Sequence, residues 1–433
     1  MDEILERARR VAEEAEVFIS TLEETPVEFE ADRLKHLQSR QSKTVALRII
    51  KNGRLGYATT TRTDDIGRLV DDAVATAEFG TTARFTFPAT SDYPAVNVYD
   101  PAIEDVTLEQ MVALGQGMID ALKRHTPELL CDASVSRAVC HVSIANSRGG
   151  YSSFRQSIFS LFLEGQLVRG TDMLFVGDHA SSCRPQLDGS DIIASVRRQL
   201  ELARQNAEVP TRSMPVVFTP RGVASTFARP LLAAFNGKAV LEGASPVGNR
   251  LGEVVFDRRL SVVDDATLDF RPGSAPCDDE AVPGQRTALV TAGKVTGFLY
   301  DLQTAGQAGT SSTGNGHRTQ GGQPQPGPSS VIISPGDTSF EEMVAGIDEG
   351  LVVDQLMGAG QGNTLGGDFS GNVLLGFKVE QGRLVGRVKN TMVSGNIYQA
   401  LGEIAAIGND TRWVAGIVQT PSILCPAIAV ASQ

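Results

Sequence analysis

The sequence feature that most constrains the fold is a hairpin near the N-terminus. Residues 42–50 alternate apolar and polar side chains, and residues 55–60 can return beside them. The turn between them contains Asn52 and Gly53, a pair that readily adopts the two positive-φ conformations of a type I′ turn. Such a turn joins antiparallel neighbours. The first half of the chain is therefore predicted to contain an antiparallel sheet.

Helical and strand-like segments surround this hairpin. Helical periodicity predicts helices over residues 4–16, 63–78, 108–124 and 192–206, and alternation predicts strands over residues 16–25, 26–34, 129–146, 151–168 and 172–179. We therefore expect residues 1–210 to form an α+β domain with antiparallel strands and flanking helices.

The second half, residues 211–433, has a different sequence pattern. Short strand-like segments divided by Gly, Pro and Asp dominate it, and one apolar helix is predicted over residues 222–235. We expect a mostly antiparallel β domain with few helices. Residues 304–330 are rich in Gly, Ser, Thr, Gln and Pro without apolar periodicity, which predicts a long mobile loop.

Composition excludes several classes of function. The net charge is −12, from 39 basic and 51 acidic residues, so a direct nucleic-acid partner is not expected. No apolar run is long enough to span a membrane, and the N-terminal segment does not resemble a secretory signal. The five cysteines are scattered without CxxC spacing, which is typical of reduced thiols in the cytoplasm.

Few residues indicate chemistry by themselves. No two of the five histidines have a spacing that would place both on one helix face, so no HExxH-type zinc site can be drawn. His317 lies in a glycine-rich segment and is expected to be a solvated loop residue. The acidic runs at 264–265, 278–280 and 348–349 are expected to be turn caps and solvated loop ends, because strand neighbours face apart.

Short motifs occur in a fixed order along the chain. They are LGEVVF at 251–256, VVDD at 262–265, CDDE at 277–280, GKV at 293–295, STGN at 312–315, GGDFSG at 366–371, GND at 408–410 and TPS at 420–422, with GRLGYA at 53–58 and AVATA at 73–77 in the first half. In order and spacing these motifs resemble the TldD/PmbA family, once called modulators of DNA gyrase. The resemblance covers nearly the whole chain.

The resemblance implies one of two branches. TldD-type members are zinc peptidases with an HExxxH helix and a later cysteine ligand, whereas TldE/PmbA-type members lack these groups and serve as partner subunits. The matching position reads AAFNGK, so Ala233 and Ala234 replace the first His and the Glu, and Lys238 replaces the second His. The later cysteine has no counterpart, and Cys425 is interpreted as a core residue. The resemblance thus implies no catalytic residue and no metal in this chain.

The function implied is that of a TldE/PmbA-like subunit in a cytoplasmic TldD/TldE metallopeptidase that processes peptides or unfolded segments. Whether the chain itself is an enzyme stays open. Its partner would be a TldD-type zinc peptidase in a heterodimer, with the zinc in that partner, or a second copy of itself. The alternatives are a homodimeric peptide-binding scaffold without a catalytic partner, and an independent hydrolase that pairs Asp368 or Asp410 with His317.

A peptide site is expected in the glycine-rich segment near residues 358–376. We predict a sheet edge there, to which an extended peptide adds as a further strand through backbone pairing. The loop at 304–330 could cover such a groove. The candidate binding residues are Asn363, Gly366, Gly367, Asp368, Phe369 and Ser370.

Overall fold

The structure is a computed structural model that describes residues 1–62, 65–89, 92–319, 321–360 and 362–432. The elements up to residue 207 include a short 3-10 turn over Pro101–Ile103. The helices and strands of this half are α1 (Asp2–Ala8), β1 (Glu14–Glu30), β2 (Arg33–Leu37), β3 (Arg40–Lys51), β4 (Arg54–Thr60), α2 (Ile66–Ala77), α3 (Leu108–His125), β5 (Leu130–Asn146), β6 (Tyr151–Arg169), β7 (Asp172–Ser182), α4 (Ser190–Leu202) and β8 (Asn206–Ala207).

The second half has shorter elements, including a π-helical turn over Ala224–Ala228. Its helices and strands are β9 (Arg212–Phe218), α5 (Pro220–Val223), α6 (Arg229–Ala234), α7 (Gly237–Leu241), β10 (Val262–Asp265), β11 (Arg286–Thr291), β12 (Lys294–Val295), α8 (Leu302–Ala308), β13 (Gly316–His317), β14 (Gln325–Pro326), β15 (Val331–Ile333), α9 (Phe340–Ala345), β16 (Glu349–Met357), β17 (Asp368–Glu380), β18 (Arg383–Val388), β19 (Thr391–Asn396), α10 (Ile397–Gly402), β20 (Ala406–Ile407), β21 (Arg412–Val414), β22 (Val418–Thr420) and β23 (Ile423–Ser432).

The first half forms one antiparallel sheet with strand order β4-β3-β1-β5-β6-β7, and β2 adds to the end of β1. The hairpin predicted from the sequence is confirmed: Lys51 pairs with Arg54, and the turn residues Asn52 and Gly53 have φ values of 51° and 69°. This turn twists in the same sense as its strands, which keeps β3 and β4 in register.

Helices α3 and α4 cover one face of this sheet. Along β6 the residues Phe159, Leu161 and Leu163 point into that core, in strict alternation with more exposed neighbours. Helix α4 also protects the edge strand β7, because the Gln199 side chain pairs with both the N–H and the carbonyl of Gly177. An edge closed in this way offers fewer free backbone groups to other chains.

Five strands of the second half close into a barrel. β16 pairs with β9, β9 with β23, β23 with β19, β19 with β17, and β17 returns to β16. β18 and β8 extend this barrel from β17, and a separate sheet has the order β12-β11-β10-β15-β22-β21. The helical segment from α5 to α6 lies in the core between them. The α+β fold with a largely antiparallel, helix-poor second half is confirmed.

Phe218, Phe227 and Phe369 anchor the core of the barrel. Their rings meet with centroids 4.7–6.3 Å apart, and each is at most 3% exposed. They come from β9, from the π-helical turn and from β17, so this aromatic cluster holds together three segments that are distant in sequence. Offset and edge-to-face contacts of this kind add to the hydrophobic burial.

Three sequence predictions about local structure are wrong. The first helix ends at Ala8, because the following residues enter β1, where Ala15 and Glu16 are fully buried between β3 and β5. The two strands predicted over residues 16–34 are mainly one continuous strand, β1, since Pro26 lies where β3 has already diverged and only β5 pairs. The segment 304–330 contains α8 and the β13–β14 hairpin rather than a structureless loop.

The helix predicted from residue 63 is α2, which begins at Ile66; residues 63 and 64 lie outside the described part of the chain. Among the described helices, none is both long enough and apolar enough to cross a membrane.

The barrel core predicts the effect of two phenylalanine substitutions. We expect F227A to lower the free energy of unfolding by about 3–5 kcal/mol, because it removes a fully buried ring and leaves a cavity. The matched control is F79A, since Phe79 is 88% exposed, and it is expected to change the stability by less than about 0.5 kcal/mol. Urea denaturation followed by circular dichroism measures both. Similar losses for the two variants would contradict the assigned core.

Candidate functional site

The segment that carries Ala233, Ala234 and Lys238 is a helix broken by a tight turn. Thr219 caps its start by accepting a hydrogen bond from the Gly222 N–H at 3.2 Å, and the helical path then runs through the π-helical turn to Ala234. Asn236 then starts α7, its side chain accepting from the N–H groups of residues 238 and 239. Residues 233 and 238 therefore lie on two separate helices.

The three residues point to three different places. Ala234 is fully buried in the core. Ala233 lines a mostly apolar surface groove of about 400 Å³, together with Leu232 and Pro328. Lys238 lines a second cavity, of about 540 Å³, which shares no lining residue with the first. The turn between the two helices is pinned by a 2.6 Å hydrogen bond from the Asn236 side chain to a backbone carbonyl of β14.

These residues do not fit a zinc ion. Zinc needs converging nitrogen, sulfur or carboxylate donors, whereas this position offers two methyl groups and an ammonium. Within the described ranges, no three His, Cys, Asp or Glu side chains converge in a way that could hold a metal. Cys425 is fully buried, and burial raises the pKa of its thiol to about 12. It is a core residue, as the sequence indicated.

The glycine-rich segment around residues 363–370 is not a free sheet edge. β17 pairs with β19 from Asp368 to Asn372 and with β16 from Asn372 onwards. A Cβ at Gly371 would touch the backbone of residues 357–359, so the chain's own loop lies along the remaining side. The predicted edge is wrong because glycine-rich text does not reveal that β16 and β17 close a barrel.

The six candidate peptide-binding residues lie in a folded turn and in the first residues of β17. The Asn363 side chain accepts from the Gly366 N–H at 3.0 Å, and Gly367 has a φ of 80° and packs against the ring of Tyr398. Asp368 accepts from the Asn396 amide at 2.9 Å, while its neighbour Phe369 belongs to the aromatic core, and Ser370 is exposed on β17. That this turn binds a peptide stays a prediction.

His317 is not a solvated loop residue. It pairs through its backbone with Gln325 in the β13–β14 hairpin, and its ring lies 3.5 Å from the Ser329 hydroxyl. Burial lowers the pKa of His317, while the nearby Asp279 and Glu280 act in the opposite direction. The expectation failed because the hairpin that shelters the ring joins two short segments without apolar periodicity.

Two of the acidic runs are buried rather than solvated. Asp264, Asp265, Asp278 and Glu280 are each at most 5% exposed, whereas Asp348 is exposed as expected. The buried carboxylates persist because donors surround them, and backbone N–H groups supply many of these hydrogen bonds. Asp278, for example, accepts from three backbone N–H groups at 2.8–3.0 Å.

A buried charge network joins the two halves of the chain. Arg48 on β3 lies 3.0 Å from a Glu16 oxygen and 2.5 Å from a Glu280 oxygen, and Arg318 contacts Glu16 at 2.6 Å. All four side chains are at most 4% exposed. Sequence reasoning missed this network. The available signal was an arginine inside the otherwise apolar stretch VALRII of β3.

Residues proposed for zinc-independent hydrolysis are not brought together. Asp368 is hydrogen-bonded to Asn396, and Asp410 accepts from the Ser422 hydroxyl at 2.7 Å. Neither forms a hydrogen bond or ion pair with His317 in the described part of the chain. The geometry gives no support to an acid–histidine pair from these residues.

Another cavity, of about 310 Å³, lies between the two halves of the chain. Its charged walls are already paired: Arg221 contacts Asp354 at 3.5 Å, and Arg412 contacts the buried Asp178 at 2.5 Å. These pairs make the cavity part of the packing between the halves.

Family models match segments in both halves of the chain. A family model described as the PmbA/TldA metallopeptidase C-terminal domain matches residues 211–432, and one described as PmbA/TldA metallopeptidase domain 1 matches residues 15–77. Over 432 residues the chain is 24% identical to an uncharacterized protein of Methanocaldococcus jannaschii, covering 98% of each. It is 25% identical to the metalloprotease PmbA of Escherichia coli O157:H7, covering 99% of this chain and 94% of that protein.

A solved structure shows the same fold. The crystal structure of TldE from Thermococcus kodakarensis superposes with a TM-score of 0.88 over the full length of both chains, at 22% identity. At this level of identity the match establishes the architecture alone.

The charge network predicts a large cost for losing Arg48. We expect R48M to lower the free energy of unfolding by about 3–5 kcal/mol, because two buried carboxylates lose a partner. Adding E280Q should recover part of that loss. The control is R250M in the exposed Arg250–Glu253 pair, with an expected cost below about 1 kcal/mol. Chemical denaturation at neutral pH measures all three, and an R48M protein as stable as R250M would contradict the network.

Asp264 predicts a dependence of stability on pH. Burial raises its pKa to about 6 from the ordinary 3.8, against hydrogen bonds from Asn315 and Ser329. The folded state therefore binds the proton more tightly, and stability is lost as pH rises from about 4 to 6. We expect D264N to gain roughly 2–3 kcal/mol relative to the wild type between pH 4 and pH 7. Parallel denaturation curves that keep a constant difference would contradict this assignment.

Proposed function

The chain belongs to the PmbA/TldD metallopeptidase family, and from this we propose that it is a PmbA/TldE-type, non-catalytic subunit of a cytoplasmic TldD/TldE peptidase. In this proposal the zinc ion, the activated water and the general base belong to a TldD-type partner. The present chain supplies a binding surface for peptides or unfolded segments. No nucleic-acid or membrane partner is included.

The observation that carries this proposal is the side-chain chemistry at the family's catalytic position. Metal-assisted peptide hydrolysis needs a Lewis acid and a neighbouring base. Here the first two positions carry methyl groups, and Ala234 is fully buried in the core. The third, Lys238, points into a different cavity from Ala233 and would repel a dication. To create a zinc site here, the residues at positions 233, 234 and 238 would all have to be replaced, and their side chains would have to face the same cavity.

The relatives carry names from both branches, and the extent of the match favours one of them. The Escherichia coli relative named PmbA matches 99% of this chain, whereas a Buchnera aphidicola relative named a TldD homologue matches 48%. The E. coli relative is also named a metalloprotease.

The second candidate is a homodimeric peptide-binding scaffold that works without a catalytic partner. It uses the same non-catalytic site and differs only in the identity of the partner subunit. The same experiment therefore decides between the two proposals.

The test is co-expression with the TldD-type protein encoded in the same genome. We expect a stable heterodimer by mass photometry, one zinc ion per heterodimer by elemental analysis, and peptidase activity that neither chain shows alone. The partner's HExxxH glutamate changed to glutamine should abolish activity. A233S in the present chain should leave zinc content and activity unchanged, because residue 233 ligates nothing in this proposal.

Other outcomes would overturn the proposal in distinct ways. Full activity of the TldD-type protein alone, or no complex, would remove the subunit role. A homodimer of this chain that binds peptide without a partner would favour the scaffold. Stoichiometric zinc and chelator-sensitive hydrolysis by this chain alone would make it a catalytic subunit.

A further inference from the structure

The cavity beside α7 and α8 has a distinctive set of charges. It has a volume of about 540 Å³, within the range of small-ligand sites, and it is lined by Lys238 and Asp301 among other residues. The start of α7 is tied to the segment just before α8 by a 2.8 Å hydrogen bond from the Gly237 N–H to the Leu299 carbonyl. Opposite charges, on α7 and at the N-cap of α8, thus line one space.

Lys238 is an exposed cation on α7, four residues before the acidic Glu242. Its backbone N–H is used to cap α7, but its exposed ammonium makes no ion pair or hydrogen bond with the residues that the structure describes. Arg48 also lines the cavity, yet two of its guanidinium nitrogens are held by Glu16 and Glu280, and its remaining Nε is buried. Lys238 is therefore the cation available to a carboxylate ligand.

Asp301 is the complementary anion. It is 3% exposed, and its Oδ1 accepts from the Thr304 N–H at 2.7 Å and the Thr304 hydroxyl at 2.6 Å. Its Oδ2 accepts no hydrogen bond from the described residues. Burial and the nearby Glu280 raise the pKa of Asp301. A buried carboxylate with an open oxygen is stabilised by an ammonium ligand.

Amide side chains form part of the cavity wall. Gln307, Gln323 and Gln325 line the cavity with exposed side chains, and each carboxamide can both donate and accept a hydrogen bond as a peptide bond does. Leu241 and Pro324 add apolar surface. Glu242 also lines the cavity, at the end of α7, and an E242Q variant separates its contribution from that of Asp301.

We propose that this cavity binds a short peptide by its two free ends, with Lys238 holding the terminal carboxylate and Asp301 the terminal ammonium. A di- or tripeptide matches both charges and the amide wall, whereas an internal segment of a long polypeptide has neither charge. The inference rests on the proposed function for the class of ligand. It adds that this chain recognises short peptides, such as products of hydrolysis, by their termini.

Isothermal titration calorimetry on the isolated chain tests this proposal with three probes: trialanine, trialanine amide and N-acetyl-trialanine. We expect trialanine to bind about tenfold more tightly than either capped probe, because each cap removes one charge-assisted hydrogen bond. The titration uses this chain alone, so its result can be interpreted even if the co-expression experiment finds no complex with a TldD-type protein.

Substitutions assign each end. K238M should remove the preference for acid over amide while the preference for the free amine persists. D301N should do the reverse, and asparagine keeps the cap of α8 because its side-chain oxygen still accepts from Thr304. The control is K294M, an exposed lysine on β12 outside the cavity, which should retain both preferences.

Several results would overturn the proposal. These are no binding of trialanine, equal affinity for free and capped probes, or loss of both preferences in K294M. If E242Q rather than D301N removes the free-amine preference, the assignment of the ammonium to Asp301 is wrong. Thermal denaturation of each variant shows whether it is folded, and if D301N unfolds, the K238M and amide comparisons still decide the carboxylate end.

Discussion

The buried pairing of Arg48 with Glu16 and Glu280 is the interaction on which the arrangement of the molecule depends. Arg48 and Glu16 come from neighbouring strands of the first sheet, while Glu280 comes from a turn in the second half, 232 residues away. Taking such charges out of water is costly, so the geometry must satisfy each of them. Glu280 also accepts from the Leu302 N–H at the start of α8. The network thereby fixes one wall of the cavity that Lys238 and Asp301 share.

The segments around residues 233–238 combine the family's architecture with side chains that do not fit a zinc ion. Asn236 breaks the helix and ties the turn to Pro326, which keeps the shape of the region while Ala233 and Lys238 open into separate spaces. Packing requirements at Ala234, which is fully buried, explain why a small apolar residue is tolerated there. Lys238, the polar side chain at this position, is the group that we propose for binding a peptide carboxylate.

Local patterns in the sequence predicted the local structure well. Alternation and the Asn-Gly turn predicted the β3–β4 hairpin, and helical periodicity predicted α3 within a residue of its observed bounds. The pairings between distant strands were not predictable in this way. A glycine-rich strand has the same local sequence pattern at a sheet edge as inside a closed barrel. For the same reason His317 and the acidic run at 278–280 were expected in solvent. Their partners lie on other segments, and no periodicity links them.

In the proposed function this chain holds no catalytic zinc of its own. Titration of the purified chain with zinc, followed by equilibrium dialysis and elemental analysis, tests it most directly. We expect the chain to retain no stoichiometric zinc at micromolar zinc concentration, because residues 233, 234 and 238 offer no side chain that ligates the metal. Retention of one zinc ion per chain, together with hydrolysis of a peptide by the chain alone, would contradict it.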